Sequence, residues 1–185
     1  MFQKLLKKTA RALSDQDIPY MVIGGQAVLL YGEPRLTKDI DITLGIGIEG
    51  LDRIKRIVCD LDFKALIEDI DNFVEKTMVF PVQDLKSGIR IDFIFSFSPY
   101  ERQAIERANE VKLENVIVRF AALEDLIIHK IIAKRARDSE DVRSILLKNP
   151  DYDKIYIEKW LKEFDKSLDD DFNELFKKLT EDIKP

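Results

Sequence analysis

The amino-acid sequence predicts an α/β (α+β) fold, with a mixed β-sheet flanked by helices and a C-terminal helical part. Two observations support this prediction. Short apolar runs typical of strands alternate with helical patterns up to about residue 120, and only helical patterns follow from residue 122. We therefore predict a core domain over residues 1–120 and a helical segment packed on it over residues 121–185.

The elements of the core follow from the spacing of apolar residues. Spacings of three and four indicate helices, whereas alternation indicates strands. Helices are predicted over residues 2–13, 26–31, 51–61 and 99–108. Strands are predicted over residues 20–23, 39–44, 63–67, 74–82 and 89–95, with a hairpin over residues 111–120.

The C-terminal part carries four amphipathic patterns. They predict helices over residues 123–135, 139–147, 155–164 and 172–179. Lys130, Lys134 and Arg137 are spaced as on one helix face, where they would compensate phosphate charge. The alternative is a solvated basic face, with Asp138 as the N-cap of the next helix.

Composition argues against several classes of protein. The 185 residues carry a net charge of -5, which disfavours non-specific coating of nucleic acid. No apolar run approaches the roughly 18 residues of a membrane span, and the N-terminus lacks the pattern of a signal peptide. The single cysteine, Cys59, lies among apolar neighbours and is predicted to be a core residue. We expect a cytoplasmic protein with no membrane partner.

A glycine pair marks the junction between a predicted strand and a predicted helix. Gly24 and Gly25 let the backbone turn and approach a ligand closely. The free backbone N–H groups and the dipole of the following helix favour a phosphate at such a junction. The loop residues Arg35 and Thr37, just before the next strand, are candidates for nucleotide contact or for a simple turn role.

Three aspartates occupy predicted strands whose other positions are largely apolar. Asp39 and Asp41 share one face of a strand, and Asp92, on a later strand, shares a face with Arg90 and Ile94. Carboxylates so placed repel one another unless a cation lies between them. Hard oxygen ligands in this number suit Mg²⁺ or Mn²⁺. The alternative is solvated acids on an exposed sheet face.

These features together resemble the DNA polymerase beta-like nucleotidyltransferase superfamily. The resemblance covers about residues 18–95 and rests on Ile23-Gly24-Gly25, Asp39-Ile40-Asp41-Ile42 and Ile91-Asp92-Phe93. It implies that the glycines hold the nucleotide phosphates and that Asp39 and Asp41 bind two metal ions. It also implies that Asp92 completes one metal site and assists deprotonation of the acceptor. Many relatives have serine at the position of Gly25, so phosphate contact here would depend on backbone N–H groups.

A second block, residues 123–142, is similar to the helical segment of AbiEii-like nucleotidyltransferases, several of which are toxins of toxin–antitoxin pairs. The resemblance implies that Lys130 touches the triphosphate. It implies that Asp138 or Asp141 positions Lys130 or contacts the base or acceptor. With Arg137, these residues complete the predicted nucleotide-binding set.

The predicted activity is transfer of a nucleoside monophosphate from an NTP to a hydroxyl acceptor, with release of pyrophosphate. The acceptor is open among an RNA 3′ end, a protein hydroxyl and a small molecule. The second resemblance favours a toxin-like role on tRNA and a cognate antitoxin as partner. Two alternatives are a catalytically silent nucleotide-binding or partner-binding module and a structural antitoxin-binding subunit.

Overall fold

A computed structural model describes residues 1–96 and 98–182 of the chain. Its contacts divide the chain into two compact units. The first unit comprises Met1–Gln26 and Leu36–Ala121, and the second comprises Ala27–Arg35 and Ala122–Pro185. Each unit is therefore assembled from segments that are distant in sequence.

Seven strands of the first unit form one mixed sheet within the described residues. They are β1 Tyr20–Ile23, β2 Asp39–Leu44, β3 Phe63–Ala65, β4 Val79–Asp84, β5 Arg90–Phe95, β6 Asn109–Leu113 and β7 Val116–Phe120. Their order is β3-β4-β5-β2-β1-β7-β6. The β2–β5 and β1–β7 pairs are parallel and the other pairs are antiparallel. The predicted fold class is confirmed.

The helices account for most of the remaining described residues. They are α1 Phe2–Asp15, α2 Gly24–Tyr31, α3 Leu51–Asp60, α4 Ile70–Thr77, α5 Pro99–Glu106, α6 Leu123–Ala133, α7 Ala136–Lys148, α8 Lys154–Leu168 and α9 Phe172–Glu181. A short 3-10 helix covers Ile48–Gly50. Among the residues described, we find no helix whose length and apolar character would let it cross a membrane.

The two central strands of the sheet bury one face and leave acids on the other. In β2, Ile40 and Ile42 are buried, while Asp39 and Asp41 are only half-buried. In β5 the same alternation buries apolar side chains and leaves Asp92 half-buried. The alternating sequence therefore fixes which face of these strands is the core.

The strand predicted over residues 74–82 is partly wrong. The residues before Met78 form α4, and β4 begins only at Val79. The carboxylate of Asp69 accepts a hydrogen bond from the N–H of Asn72 and starts the helix, which the left-handed Met78 at φ 59° ends. Val74 is buried, as the strand prediction required, but it belongs to this helix and not to a strand.

The basic helix face predicted in the C-terminal part is also wrong. Helix α6 ends at Ala133, and Lys134 adopts a left-handed conformation with φ 49°. The carboxylate of Asp138 accepts a hydrogen bond from the N–H of Arg135 at 3.3 Å, which caps the start of a separate helix, α7. Lys130 and Arg137 therefore lie on different helices.

One smaller prediction failed as well. Cys59 lies in the last turn of α3 and is exposed, whereas Ile57 and Val58 are buried. The apolar stripe of α3 thus includes its neighbours but not the cysteine.

Candidate active site

Strand pairing brings the three predicted metal-ligand aspartates to one face of the sheet. In the parallel β2–β5 pair, Asp41 lies beside Asp92 and Asp39 lies beside Arg90. Paired residues of neighbouring strands point to the same side, so the three carboxylates and the guanidinium share a face. The side chain of Asp92 is only 14% exposed, so its charge is partly removed from water.

Gly24 lies directly against the second of these aspartates. The antiparallel β1–β2 pair places Ile23 opposite Asp41, and the chain turns at Gly24 with φ +65° to begin α2. A Cβ at Gly24 would collide with Asp41 Oδ2 and lie 2.9 Å from its Cγ. The position therefore requires glycine for its backbone conformation and for the approach of the carboxylate.

The second glycine of the pair is buried in the first turn of α2. Backbone N–H groups in a first helical turn lack partners within their own helix. Gly25 therefore contributes such an N–H group next to Gly24 and Asp41. The structure thus gathers the predicted glycine motif and the predicted acids in the first unit.

Arg90 was not predicted as a functional residue. Its Nε donates a hydrogen bond to Asp92 Oδ1 at 2.7 Å. This hydrogen bond is the main cause that raises the pKa of Arg90 above its usual value, and charge attraction from Asp92, Asp39 and Asp41 adds to it. The signal was present in the sequence, since alternation alone put Arg90 on the face of Asp92. An arginine two residues from an acid on a strand is ambiguous without the neighbouring strand.

The hydroxyl of Thr37 donates towards Asp39, with its Oγ1 3.2 Å from the backbone oxygen and 3.3 Å from Oδ1. Both bonds are long, so they orient the carboxylate weakly. Thr37 thus contacts the first aspartate of the motif.

The donor set suits a divalent cation. Three carboxylates on one face supply hard oxygen ligands, and the guanidinium of Arg90 provides positive charge beside them in this structure. Over residues 1–96 and 98–182, no three His, Cys, Asp or Glu side chains are gathered closely enough to hold a metal ion. The backbone register places the three aspartates on one face, but the carboxylate of Asp92 is hydrogen-bonded to Arg90 rather than gathered with the other two.

A second charged cluster lies within the second unit. Lys130 Nζ lies 2.6 Å from Asp138 Oδ1 and 2.8 Å from Asp141 Oδ2. Asp141 also accepts two hydrogen bonds from Arg35, at 2.8 Å from Nε and 3.0 Å from Nη2. The side chains of Lys130, Asp138 and Asp141 are 5–8% exposed. Two buried acids are thus balanced by two basic groups.

The remaining predicted basic residues lie outside this cluster. Arg137 is exposed on α7. Lys134 pairs with Asp170, and its Nζ lies over the ring of Phe172, 4.6 Å from the centroid. The structure thus brings together Lys130, Arg35 and the two aspartates, but not the other two basic residues.

Comparison with known families decides the class of the protein. The model of a family described as nucleotidyltransferase of unknown function (DUF6036) matches residues 2–174. The chain belongs to this family. It is therefore a nucleotidyltransferase, and its predicted resemblance to the nucleotidyltransferase superfamily is confirmed. No curated protein sequence matches the chain.

Solved structures share the fold of this nucleotidyltransferase at low sequence identity. An antigenic nucleotidyltransferase-like protein from Paracoccidioides brasiliensis is 15% identical, with a TM-score of 0.56 over 80% of this chain and 75% of that chain. ANT(2")-Ia in complex with adenylyl-2"-tobramycin is 18% identical, with a TM-score of 0.54 over 78% and 87%. A protein from Thermotoga maritima described as a nucleotidyltransferase is 18% identical, with a TM-score of 0.53 over 88% and 93%.

Proposed function

We propose that this nucleotidyltransferase moves a nucleoside monophosphate from an NTP to a hydroxyl acceptor, at a site formed by Asp39, Asp41 and Asp92 with Gly24 and Gly25. The observation that supports this assignment is the register that aligns Asp41 with Asp92, together with the close approach of Gly24 to Asp41. Gly24, Gly25, Asp39 and Asp41 lie far from Asp92 in the sequence. Only the pairing of β1 with β2 and of β2 with β5 brings them near it.

In this proposal the three carboxylates hold Mg²⁺ or Mn²⁺. The bound ions supply charge neutralisation for the triphosphate and lower the pKa of an attacking hydroxyl. The fit rests on the donor chemistry described above, because hard divalent cations prefer carboxylate oxygen ligands.

The protein groups then have distinct roles. The backbone N–H groups at Gly24 and Gly25 bind phosphate oxygens, as the N-terminal turn of a helix favours. The acceptor oxygen bonds to the α-phosphorus, the bond from the α-phosphorus to the bridging oxygen breaks, and pyrophosphate leaves with that electron pair. Asp92 assists removal of the acceptor proton. Alignment of these groups reduces the entropic part of the barrier.

We propose a nucleotide-binding role for the second-unit cluster on the basis of its resemblance to AbiEii-like proteins. Lys130 is the proposed triphosphate ligand, and Asp138 and Asp141 position its ammonium group. The ion pairs within the second unit support the positioning role, because they hold Lys130 Nζ between two carboxylates. Arg35 contributes to the same positioning, because its two hydrogen bonds orient the carboxylate of Asp141. Arg137 and Thr37 are proposed as further nucleotide contacts.

We propose an RNA 3′ end, in particular that of a tRNA, as the first acceptor to test, with a toxin-like role and a cognate antitoxin. This choice rests on the resemblance of residues 123–142. A small-molecule hydroxyl is the second acceptor to test, since a structure with this fold holds adenylyl-2"-tobramycin.

The test is incubation of the protein with each α-labelled NTP, Mg²⁺ or Mn²⁺, and a panel of total RNA, protein and aminoglycosides. We expect the wild type to transfer label to one acceptor class and to release pyrophosphate. Asp41→Asn, which keeps the shape but removes the charge, should reduce transfer by at least about a hundredfold. Asp60→Asn is the matched control, because Asp60 is an exposed acid at the end of α3. Absence of transfer and of pyrophosphate release with the wild type would overturn the proposal.

A further inference from the structure

The face that carries the three aspartates also carries the guanidinium group of Arg90. Arg90 lies beside Asp39 in the β2–β5 register, and its Nε lies 2.7 Å from Asp92 Oδ1. The strand on the other side of β5 places Gln83 beside Arg90 and Pro81 beside Asp92. The side-chain amide of Gln83 donates a hydrogen bond to the backbone oxygen of Gly88 at 2.9 Å. Arg90 is thus the basic residue that these three strands direct towards the carboxylates.

A guanidinium in this place has two opposite consequences for ligand binding. It offsets repulsion among the three carboxylates, and it repels any divalent cation that the same carboxylates would bind. Its side chain is 51% exposed, whereas Asp92 is 14% exposed. Arg90 therefore has access to solvent, and its side chain can leave Asp92 for a ligand with negative charge.

We propose that Arg90 is a positioning residue that holds Asp92 when no divalent cation is bound and makes cation binding depend on the triphosphate. This inference rests on the proposed function, since it assumes that the aspartates hold the cation. The cation displaces Arg90 from Asp92, and the released guanidinium binds the phosphates, whose negative charge it complements. Cation and nucleotide thereby each favour the binding of the other, as linkage requires.

The experiment measures the binding of Mn²⁺ and of a non-hydrolysable ATP analogue separately, by titration calorimetry. Arg90→Gln removes the charge, and Arg90→Lys keeps the charge but removes the guanidinium. Lys38→Gln is the matched control, since Lys38 is an exposed lysine next to Asp39. Mn²⁺ is titrated without nucleotide, and the analogue is titrated at saturating Mn²⁺, where the guanidinium has left Asp92.

We expect Arg90→Gln to bind Mn²⁺ about tenfold more tightly than the wild type, from the repulsion of a single and a double charge roughly 6 Å apart in a water-like medium. The same variant should bind the analogue about tenfold more weakly, because a charged phosphate contact is lost. Arg90→Lys should remain near the wild type for Mn²⁺, and Lys38→Gln should change both affinities less than about twofold.

The opposite signs distinguish this role from a merely structural one. A variant that only disturbed the fold would bind both ligands more weakly, and that result would overturn the inference. Thermal unfolding in EDTA and in Mn²⁺ provides a second readout, in which Mn²⁺ should raise the melting temperature more for Arg90→Gln than for the wild type. If the wild type binds the analogue and Mn²⁺ but Arg90→Gln binds Mn²⁺ equally, the inference fails while the proposed function stands. If the wild type binds neither ligand, the proposed function fails as well.

Discussion

The structure gives a matched pair of glycines with which to test the approach of the backbone to Asp41. Gly24 and Gly88 both have positive φ, at +65° and +71°. A Cβ at Gly24 would collide with the carboxylate of Asp41, whereas a Cβ at Gly88 would meet nothing within 4 Å. Substitution by alanine therefore imposes the same backbone strain at both positions and a steric clash at only one.

The expected magnitudes follow from these two terms. An L-residue in the left-handed region costs about 1–2 kcal/mol, so Gly88→Ala should lower the free energy of unfolding by about that amount. Gly24→Ala should cost a further 1–3 kcal/mol or so, because the carboxylate must move to make room. The displaced carboxylate should also weaken Mn²⁺ binding, whereas Gly88→Ala should leave it within about twofold of the wild type.

The assay is urea denaturation of both variants, followed by Mn²⁺ titration and nucleotidyl transfer under conditions where both are folded. Equal losses of stability in the two variants would show that Asp41 does not approach Gly24 as described. Normal Mn²⁺ affinity in a folded Gly24→Ala protein would show that this carboxylate is not a metal ligand.

Two further predictions concern stability. Asp141→Ala removes an acid shared by two basic partners and should lower the free energy of unfolding by about 3 kcal/mol. The control Glu33→Ala removes an exposed ion pair with Lys148 and should cost less than about 1 kcal/mol. Equal losses in urea denaturation would contradict the buried network. Burial would raise the pKa of Asp84, but hydrogen bonds from the hydroxyl and N–H of Ser87, together with the positive charges of Lys8 and Lys86, outweigh burial and hold the pKa below its usual 3.8. The ionised carboxylate of Asp84 therefore stabilises the folded state fully above about pH 4, and this contribution is lost as the pH falls through the lowered pKa. Ser87→Ala should lower the free energy of unfolding by about 1 kcal/mol at pH 7 and by progressively less in acid. A loss that stays constant down to pH 2 would contradict this reasoning.

Local pattern was sufficient for several features of the site. The alternation around Asp39, Asp41 and Asp92 predicted strands with acids on one face, and the strands formed as expected. The glycine pair predicted a strand-to-helix junction, and α2 begins there. Each of these features depends on neighbours within a few residues, so the sequence contains the necessary information.

Other local predictions failed where two tendencies competed. Val74 lies in a stretch that favours a strand by composition, but the cap at Asp69 starts a helix there. The spacing of Lys130 and Arg137 fits one helix, but the left-handed Lys134 and the cap formed by Asp138 divide it into two. A helix boundary depends on individual backbone conformations, which hydrophobic spacing does not specify.

The sequence by itself determined the chemistry that is present, namely three acids and a glycine pair, and most of the order of helices and strands, with α4 as the exception. Only the tertiary structure decided which groups meet. The β2–β5 register aligns Asp41 with Asp92 and sets Arg90 beside Asp39, and folding of the second unit joins Arg35 to an acid 106 residues away. These pairings are decided by packing and hydrogen bonding between distant segments, so no local pattern contains them.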